Sequence, residues 1–202
     1  MTQAYNERAS PLSPELSPRI YKLGHQVAGQ WVEHSYPPLY SVQLTSTGAE
    51  RVITAAPGSD SAIFRTLTAV LSPPFIFLYV LHTPRGEGNA GRYQSPELSH
   101  RDLSRFLDRF GTFLQADARF DLWLHSPADQ ATLVWDRHNM VYGYGPNSLY
   151  VTALHGLGFG TGDLRAPVPH RHCYHAAFDT DARAPLEQMS WIASPLHPED
   201  EQ

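Results

Sequence analysis

The segment from Ser99 to Leu114 constrains the fold of this 202-residue chain more than any other. Ser99 can cap a helix, and Asp102, three positions on, can close a capping box with it. The apolar residues that follow recur at helical spacing and share one face, which must be buried. They are Leu103, Phe106, Leu107, Phe110 and Leu114. The run Phe75–His82 is apolar on both faces of a strand, so it supplies a central strand as the partner layer.

The other segments extend this picture of helices packed on a sheet. Alternating or β-rich strands are predicted at 39–45, 51–56, 120–125, 131–135 and 140–144, with a last strand at about 168–178. Further helices are predicted after Asp60, ended by Pro73 and Pro74, and after Asn147. The order ββαβαββαβ predicts an α+β domain with a mixed or mostly antiparallel sheet.

The chain ends differ in composition from its middle. Residues 1–19 contain Pro11, Pro14 and Pro18 without an apolar period, and residues 194–202 are rich in proline and acidic side chains. Segments that bury little apolar surface do not offset their ordering entropy. We therefore predict a flexible Pro-rich N-terminal tail at 1–19, a single domain at 20–193 and an acidic C-terminal tail at 194–202.

Charge and cysteine content bound the class of protein. The net charge of −5 argues against a nucleic-acid partner, which requires clustered positive charge. Cys173 is the single cysteine and so forms no intrachain disulfide, which fits a reducing compartment. No signal sequence or apolar run of about 20 residues is evident, so we predict a cytoplasmic protein without membrane contact. Arginine outnumbers lysine as in GC-rich bacterial genomes, and Lys22 is the only lysine.

The run from Pro169 to His175 carries the densest candidate chemistry. On a strand, alternate side chains share a face, so His170 and His172 point the same way and can reach one metal ion. His175 lies nearby on the opposite face. A third ligand must come from elsewhere in the chain. The candidates are Asp136, His138, His155, Asp179 and Asp181. An edge strand with solvent-facing imidazoles explains the same pattern without a metal, and Cys173 is more typical of a small core residue than of a nucleophile.

A glycine loop lies between Arg85 and Arg92 and contains G-x-G-x-x-G. A dinucleotide site requires a helix directly after such a loop, whereas the next predicted helix begins only at Ser99. The two arginines remain candidates for binding an anion or a partner carboxylate.

The predicted hairpin offers a second candidate surface. Asp136, Arg137 and His138 lie at its tip, and Tyr142 and Tyr144 share one face of the following strand. Mixed charged tips and exposed tyrosines recur in protein interfaces, although Asp is also a simple turn former and tyrosines also cover cores.

Two functions remain open at this stage. The first is a non-catalytic, immunity- or adaptor-like protein without a cofactor, which binds a protein partner through an acidic, tyrosine-bearing surface. It is favoured because no complete catalytic constellation is evident in the sequence, so an enzyme is the less favoured expectation. The alternative is a metal-binding protein or metal-dependent enzyme with a divalent ion such as zinc on His170 and His172, with His175 nearby. The sequence leaves the oligomeric state open.

Overall fold

The computed structural model describes residues 20–57 and 60–200, so the predicted N-terminal tail at 1–19 lies outside the described residues. Within them the strands are β1 Leu23–Val27, β2 Gln30–Glu33, β3 Leu39–Leu44, β4 Glu50–Ala55, β5 Phe75–Leu81, β6 Gly91–Leu98, β7 Phe120–Ser126, β8 Ala131–Trp135, β9 Met140–Tyr144, β10 Gly160–Thr161, β11 His170–His172 and β12 Ile192–Ser194. The helices are α1 Ala62–Ala69, α2 His100–Ala116, α3 Asn147–Gly156 and α4 Arg183–Glu187.

The strands form two sheets. Nine strands pair in the order β10-β3-β4-β9-β8-β7-β5-β6-β12, and three pair in the order β11-β1-β2. Every pair is antiparallel except β10 with β3. The predicted α+β class with a mostly antiparallel sheet is therefore confirmed.

Helix α2 covers one face of the large sheet, as its apolar stripe predicts. The Ser99 hydroxyl accepts from the Asp102 amide at 3.2 Å, and the Asp102 carboxylate accepts from the Ser99 amide at 3.2 Å, so the capping box is formed. Phe106 packs against Phe77 of β5 with ring centroids 5.2 Å apart, and Phe110 lies beside Phe106 at 4.8 Å. This face of the sheet and the helices over it form the main core.

The opposite face of the large sheet is partly covered by the small sheet. Leu23 of β1 and Tyr36, which follows β2, are buried against Ile53 of β4 and Met140 of β9. This second, smaller core fixes β11, at the edge of the small sheet, near the turn between β8 and β9. The rest of this face is open to a cleft that is described below.

Strand β6 was missed by the sequence analysis because Ser95-Pro96 indicates a loop. Proline lacks an amide hydrogen and is tolerated in strands only at bulges and edges. The pairing of β5 with β6 shifts register between Ile76 and Leu78, next to this dipeptide. The Ser95 hydroxyl accepts from the buried Phe77 amide at 2.9 Å, so the amide keeps a hydrogen bond where the ladder is interrupted.

The structure differs from the prediction near the C-terminus. Strand β11 spans only three residues of the predicted strand at 168–178 and is followed by a 3-10 turn at Ala176–Phe178. The predicted acidic tail begins inside β12, which pairs with β6. Asp200 is buried and forms an ion pair with Arg92 at 3.2 Å, so the segment up to Asp200 packs on the domain. No helix in the described residues is long and apolar enough to cross a membrane.

Candidate metal centre

Strand β11 places two histidines on the inner face of the small sheet. In the register of β11 with β1, His170 lies opposite His25 and His172 lies opposite Leu23. Opposed residues of an antiparallel pair point to the same side. Leu23 is buried in the second core, so His170 and His172 face the large sheet, as their alternation predicts.

The third histidine comes from the turn between β8 and β9. The Asp136 carboxylate accepts from the backbone amides of His138 and Met140, both at 2.9 Å, which fixes the turn. Asn139 takes a left-handed φ of 62°, a conformation that asparagine tolerates in turns. The Tyr36 hydroxyl donates to the His138 carbonyl at 3.0 Å and ties the turn to the small sheet. The hairpin tip is thus held against the small sheet, with the His138 side chain 22% exposed.

The three histidines converge. The ring centroid of His138 lies 5.0 Å from that of His170 and 4.7 Å from that of His172. The centroids of His170 and His172 are 5.4 Å apart. One ring nitrogen from each lies within 4.8 Å of the others. A tetrahedral ion with bonds of about 2.0–2.1 Å brings its ligand nitrogens to about 3.4 Å from one another. The ring nitrogens must therefore approach one another by up to about 1.4 Å on binding, through rotation of the half-buried side chains.

The hydrogen bonds on the remaining ring nitrogens fit metal ligation. The Nδ1 atom of His138 lies 3.0 Å from the Asp136 carboxylate, and the Nδ1 atom of His170 lies 2.8 Å from the Pro167 carbonyl. Ligating histidines characteristically donate from their second nitrogen to a carboxylate or carbonyl, which leaves the first nitrogen as the ligand atom. The Nε2 atom of His172 is buried and has no hydrogen-bond partner. A buried polar atom without a partner is costly, and a bound ion would satisfy it.

Burial shapes the electrostatics of the cluster. Burial, reinforced by the neighbouring His138, lowers the pKa of His172 to about 3, so this ring is a neutral imidazole near pH 7. Burial alone would raise the pKa of Asp121. The hydrogen bond from His82 at 2.9 Å and the charges of His82 and Lys22 outweigh this effect of burial. The pKa of Asp121 therefore lies below its usual value. A neutral imidazole, as at His172, is the protonation state that a cation requires of a histidine ligand.

The other proposed metal ligands lie outside the cluster. The Nε2 atom of His175 bonds to the Tyr21 carbonyl at 2.8 Å, because β11 ends before His175. His155 is exposed on α3 and bonds to the Tyr40 hydroxyl at 2.7 Å. Asp179 is ion-paired with Arg85 at 2.8 Å. Of the five residues considered as third ligand, the structure brings His138 to His170 and His172, with Asp136 behind it.

The two arginines of the glycine loop are engaged in ion pairs. Arg85 binds Asp179, and Arg92 binds Asp200. The loop itself is anchored by Glu87, which is buried and forms an ion pair with the fully buried Arg119 at 3.2 Å. These contacts give the two loop arginines structural partners within the chain.

The remaining predicted binding residues line a cleft on the open face of the large sheet. Arg137, Tyr142 and Tyr144 all border it, together with Asp136 and His138. Burial, and secondarily the charge of Asp136, raises the pKa of Tyr142 well above its usual value, so this hydroxyl stays protonated. The predicted interface residues of the hairpin and one of the three clustered histidines, His138, therefore border the same cleft.

Sequence reasoning missed the small sheet and with it two more histidines near the cluster. The His25 and His34 rings meet edge to face with centroids 4.9 Å apart, and His34 meets Tyr36 at 4.5 Å. Strands β1 and β2 are short and carry few alternating apolar residues. The signal available in the sequence was a turn at Ala28-Gly29 between two β-rich stretches, where both residues take positive φ.

Comparison with known proteins does not identify the chain. It matches no family model, and neither a curated protein nor a solved structure is significantly similar to it.

Proposed function

We propose that this protein binds one divalent transition-metal ion, zinc in the first instance, through His138, His170 and His172. The observation that carries the proposal is the convergence of three ring nitrogens within 4.8 Å of one another from two separate elements. Imidazole nitrogens suit zinc, copper, nickel and iron, and three of them with a tetrahedral ion suit zinc best.

The hydrogen bonds around the three rings support a built site. Asp136 and the Pro167 carbonyl fix two rings through their Nδ1 atoms, and the buried Nε2 atom of His172 has no other partner. An edge strand with solvent-facing imidazoles would not need carboxylate support or burial. The interpretation of His170 and His172 as solvent-facing residues of an edge strand therefore explains less of the geometry.

Three protein ligands leave a fourth coordination position for water or a substrate. Structural zinc sites are usually closed by four protein ligands, whereas catalytic sites keep one position open. Bound zinc lowers the pKa of its water to about 7 and polarises carbonyl or phosphoryl oxygens. His138 also borders the cleft on the large sheet, so a substrate bound there would lie beside one of the three ligands of the ion. We therefore propose a metal-dependent hydrolytic enzyme acting on a small molecule.

The non-catalytic binding protein remains a hypothesis. The residues proposed for its binding surface differ in their surroundings. Arg85 and Arg92 form ion pairs with Asp179 and Asp200, whereas Tyr142 borders the cleft. The geometry supports the metal site more directly.

Calorimetric titration of zinc into metal-free, untagged protein tests the proposal. We expect one site per chain, lost or weakened by at least about 100-fold in His138→Ala and His172→Ala because each removes one of three ligands. The matched control is His100→Ala, at the exposed start of α2, which should bind zinc as the wild type does. Zinc binding that is equal in all four proteins would overturn the proposal.

A further inference from the structure

The cleft beside the three histidines has a volume of about 510 Å³, enough for a small organic molecule. Its floor is formed by side chains of β7, β8 and β9 on the face of the large sheet that the helices do not cover. Trp123, Val134, Tyr142 and Tyr144 supply aromatic and apolar surface. His138 and Asp136 stand on its wall, so one of the three proposed metal ligands borders the cleft.

Arg51 is the basic residue of the cleft whose contacts most directly favour an anionic ligand. It lies opposite Tyr144 in the β4–β9 register and donates from Nη1 to the Tyr144 hydroxyl at 3.2 Å. Its guanidinium carbon lies 5.3 Å from the centroid of the Tyr142 ring. Its Nε atom is buried without a hydrogen-bond partner, and no ion pair joins Arg51 to a carboxylate of the described residues.

Three of the four carboxylates that line the cleft are already engaged. Asp121 bonds to His82, Asp136 supports a proposed metal ligand, and Asp200 pairs with Arg92. The remaining acid, Glu199, is exposed, where water and salt screen its charge. Arg51 therefore faces the cleft with a positive charge that the surrounding side chains leave available.

We propose that the cleft binds a small organic carboxylate, with its anionic group on Arg51 and a planar or aromatic part against Tyr142 and Trp123. A guanidinium recognises a carboxylate through a planar pair of hydrogen bonds, and aromatic floors favour flat ligands. This assignment rests on the proposed function, because it places the reacting bond of the substrate at the metal held by His138.

The strand geometry sets the size of the ligand. Tyr144, the partner of Arg51, lies four residues from Met140 along β9, which at about 3.4 Å per residue is about 14 Å. Side chains stand roughly perpendicular to a strand and His138 lies just beyond Met140, so the anchor and the metal position are on the order of 10–15 Å apart. N-benzoylglycine (hippurate) carries a carboxylate for Arg51 and a ring for the aromatic floor, and it serves as a probe of those two contacts rather than as a substrate.

Calorimetric titration of hippurate into zinc-loaded protein tests the assignment. We expect saturable binding that is weakened about tenfold or more by Arg51→Met, because a hydrogen bond to a charged partner is lost, and less by Arg51→Lys, which keeps the charge. The matched control is Arg65→Met, which alters a surface arginine paired with Asp108 at the junction of α1 and α2 and should leave hippurate binding unchanged.

The same titration in metal-free protein separates this assignment from the metal proposal. Since Arg51 is independent of the ion, weaker binding that still depends on Arg51 is expected there. Absence of zinc uptake would contradict the metal site and leave the Arg51 comparison valid. Equal hippurate affinity in Arg51→Met and Arg65→Met, or no wild-type binding tighter than a Kd of about 10 mM, would overturn the carboxylate assignment.

Discussion

At the scale of single residues, the support of His138 by Asp136 is a direct consequence of their spacing in a tight turn. One oxygen of Asp136 accepts the backbone amides of the turn and the other meets the imidazole at 3.0 Å. The same residue therefore builds the turn and orients the ring. This dual role was not evident from sequence, where Asp136 was a turn former, a candidate interface residue or an alternative third ligand.

Asp136→Asn is expected to weaken zinc binding by about 10–100-fold, because the neutral amide no longer raises the basicity of His138. Asparagine can still accept the turn amides, so folding should be retained. Competition with a chelator of known affinity measures the change, and Asp129→Asn, in the preceding β7–β8 turn, serves as a control. An Asp136→Asn affinity equal to that of the control would show that the carboxylate does not serve the metal.

The buried environment of Lys22 leads to a quantitative prediction for the free energy of unfolding. Its ammonium group is fully buried, lacks a hydrogen-bond partner and lies 4.6 Å from the Trp135 ring centroid. Burial lowers the pKa of Lys22 to about 8, against the attraction of Asp121, Asp136 and Asp117. Below pH 8 the buried Lys22 side chain is charged in the native state, and the free-energy cost of burying that charge lowers the stability in full. As the pH rises from about 8 to 10.5, the native state releases its proton before the unfolded chain does, and the cost disappears.

Lys22→Met is therefore expected to stabilise the protein by about 3 kcal/mol at pH 7, the free-energy equivalent of a pKa of about 8 in place of the ordinary 10.5. Its advantage should shrink to about 1 kcal/mol at pH 10. Urea unfolding of both proteins at the two pH values gives the comparison. If Lys22→Met were no more stable than the wild type at pH 7, and the difference between them did not change with pH, the destabilising effect assigned to the buried charge would be contradicted.

At the scale of elements, α2 and β5 were predictable because local and tertiary signals agree. The capping box fixes where α2 begins, and its apolar stripe leaves one face to bury. Strand β6 was not predictable, since Ser95-Pro96 is a loop signal unless a side chain replaces the missing hydrogen bond. That replacement by the Ser95 hydroxyl is a tertiary contact with Phe77, and no local pattern encodes it.

Phe110→Ala should cost about 3–5 kcal/mol of unfolding free energy, because it leaves a cavity beneath α2 where Phe106 and Arg109 now meet the ring. Arg105→Ala, on the exposed face of the same helix, should change stability by no more than ~0.5 kcal/mol. Chemical denaturation of the two variants measures both effects. A comparable loss at Arg105 would mean that the polar face of α2 is itself an interface.

The C-terminal segment illustrates how composition alone misleads. A Pro- and acid-rich stretch predicts a tail, yet Asp200 is 7% exposed, accepts from the His197 amide at 2.8 Å and pairs with Arg92. Asp200→Ala should cost about 1–3 kcal/mol, because a buried arginine contact and a backbone amide lose their acceptor. Glu199→Ala, next to it and exposed, should be neutral within ~0.5 kcal/mol. Equal thermal stability of the two variants would indicate that the packing of this segment on the domain does not contribute to stability.

At the scale of the whole molecule, the site arises where two sheets meet. Alternation on β11 was enough to pair His170 with His172, because strand periodicity is a local property. The third histidine belongs to a hairpin turn more than thirty residues earlier in the chain. Its approach depends on the small sheet, whose strands β1 and β2 carry too little apolar alternation to be recognised. Sequence reasoning therefore named His138 only as one of several candidates, whereas packing of the second core selects it.

The metal content of protein purified without a histidine tag tests the central claim most directly. After incubation with excess zinc and removal of unbound ions, elemental analysis should give close to one zinc per chain. Replacement of His138, His170 and His172 together by alanine should abolish it. A wild-type content below about 0.1 zinc per chain, or a content that the triple replacement leaves unchanged, would contradict the proposed metal centre and the proposed hydrolytic function.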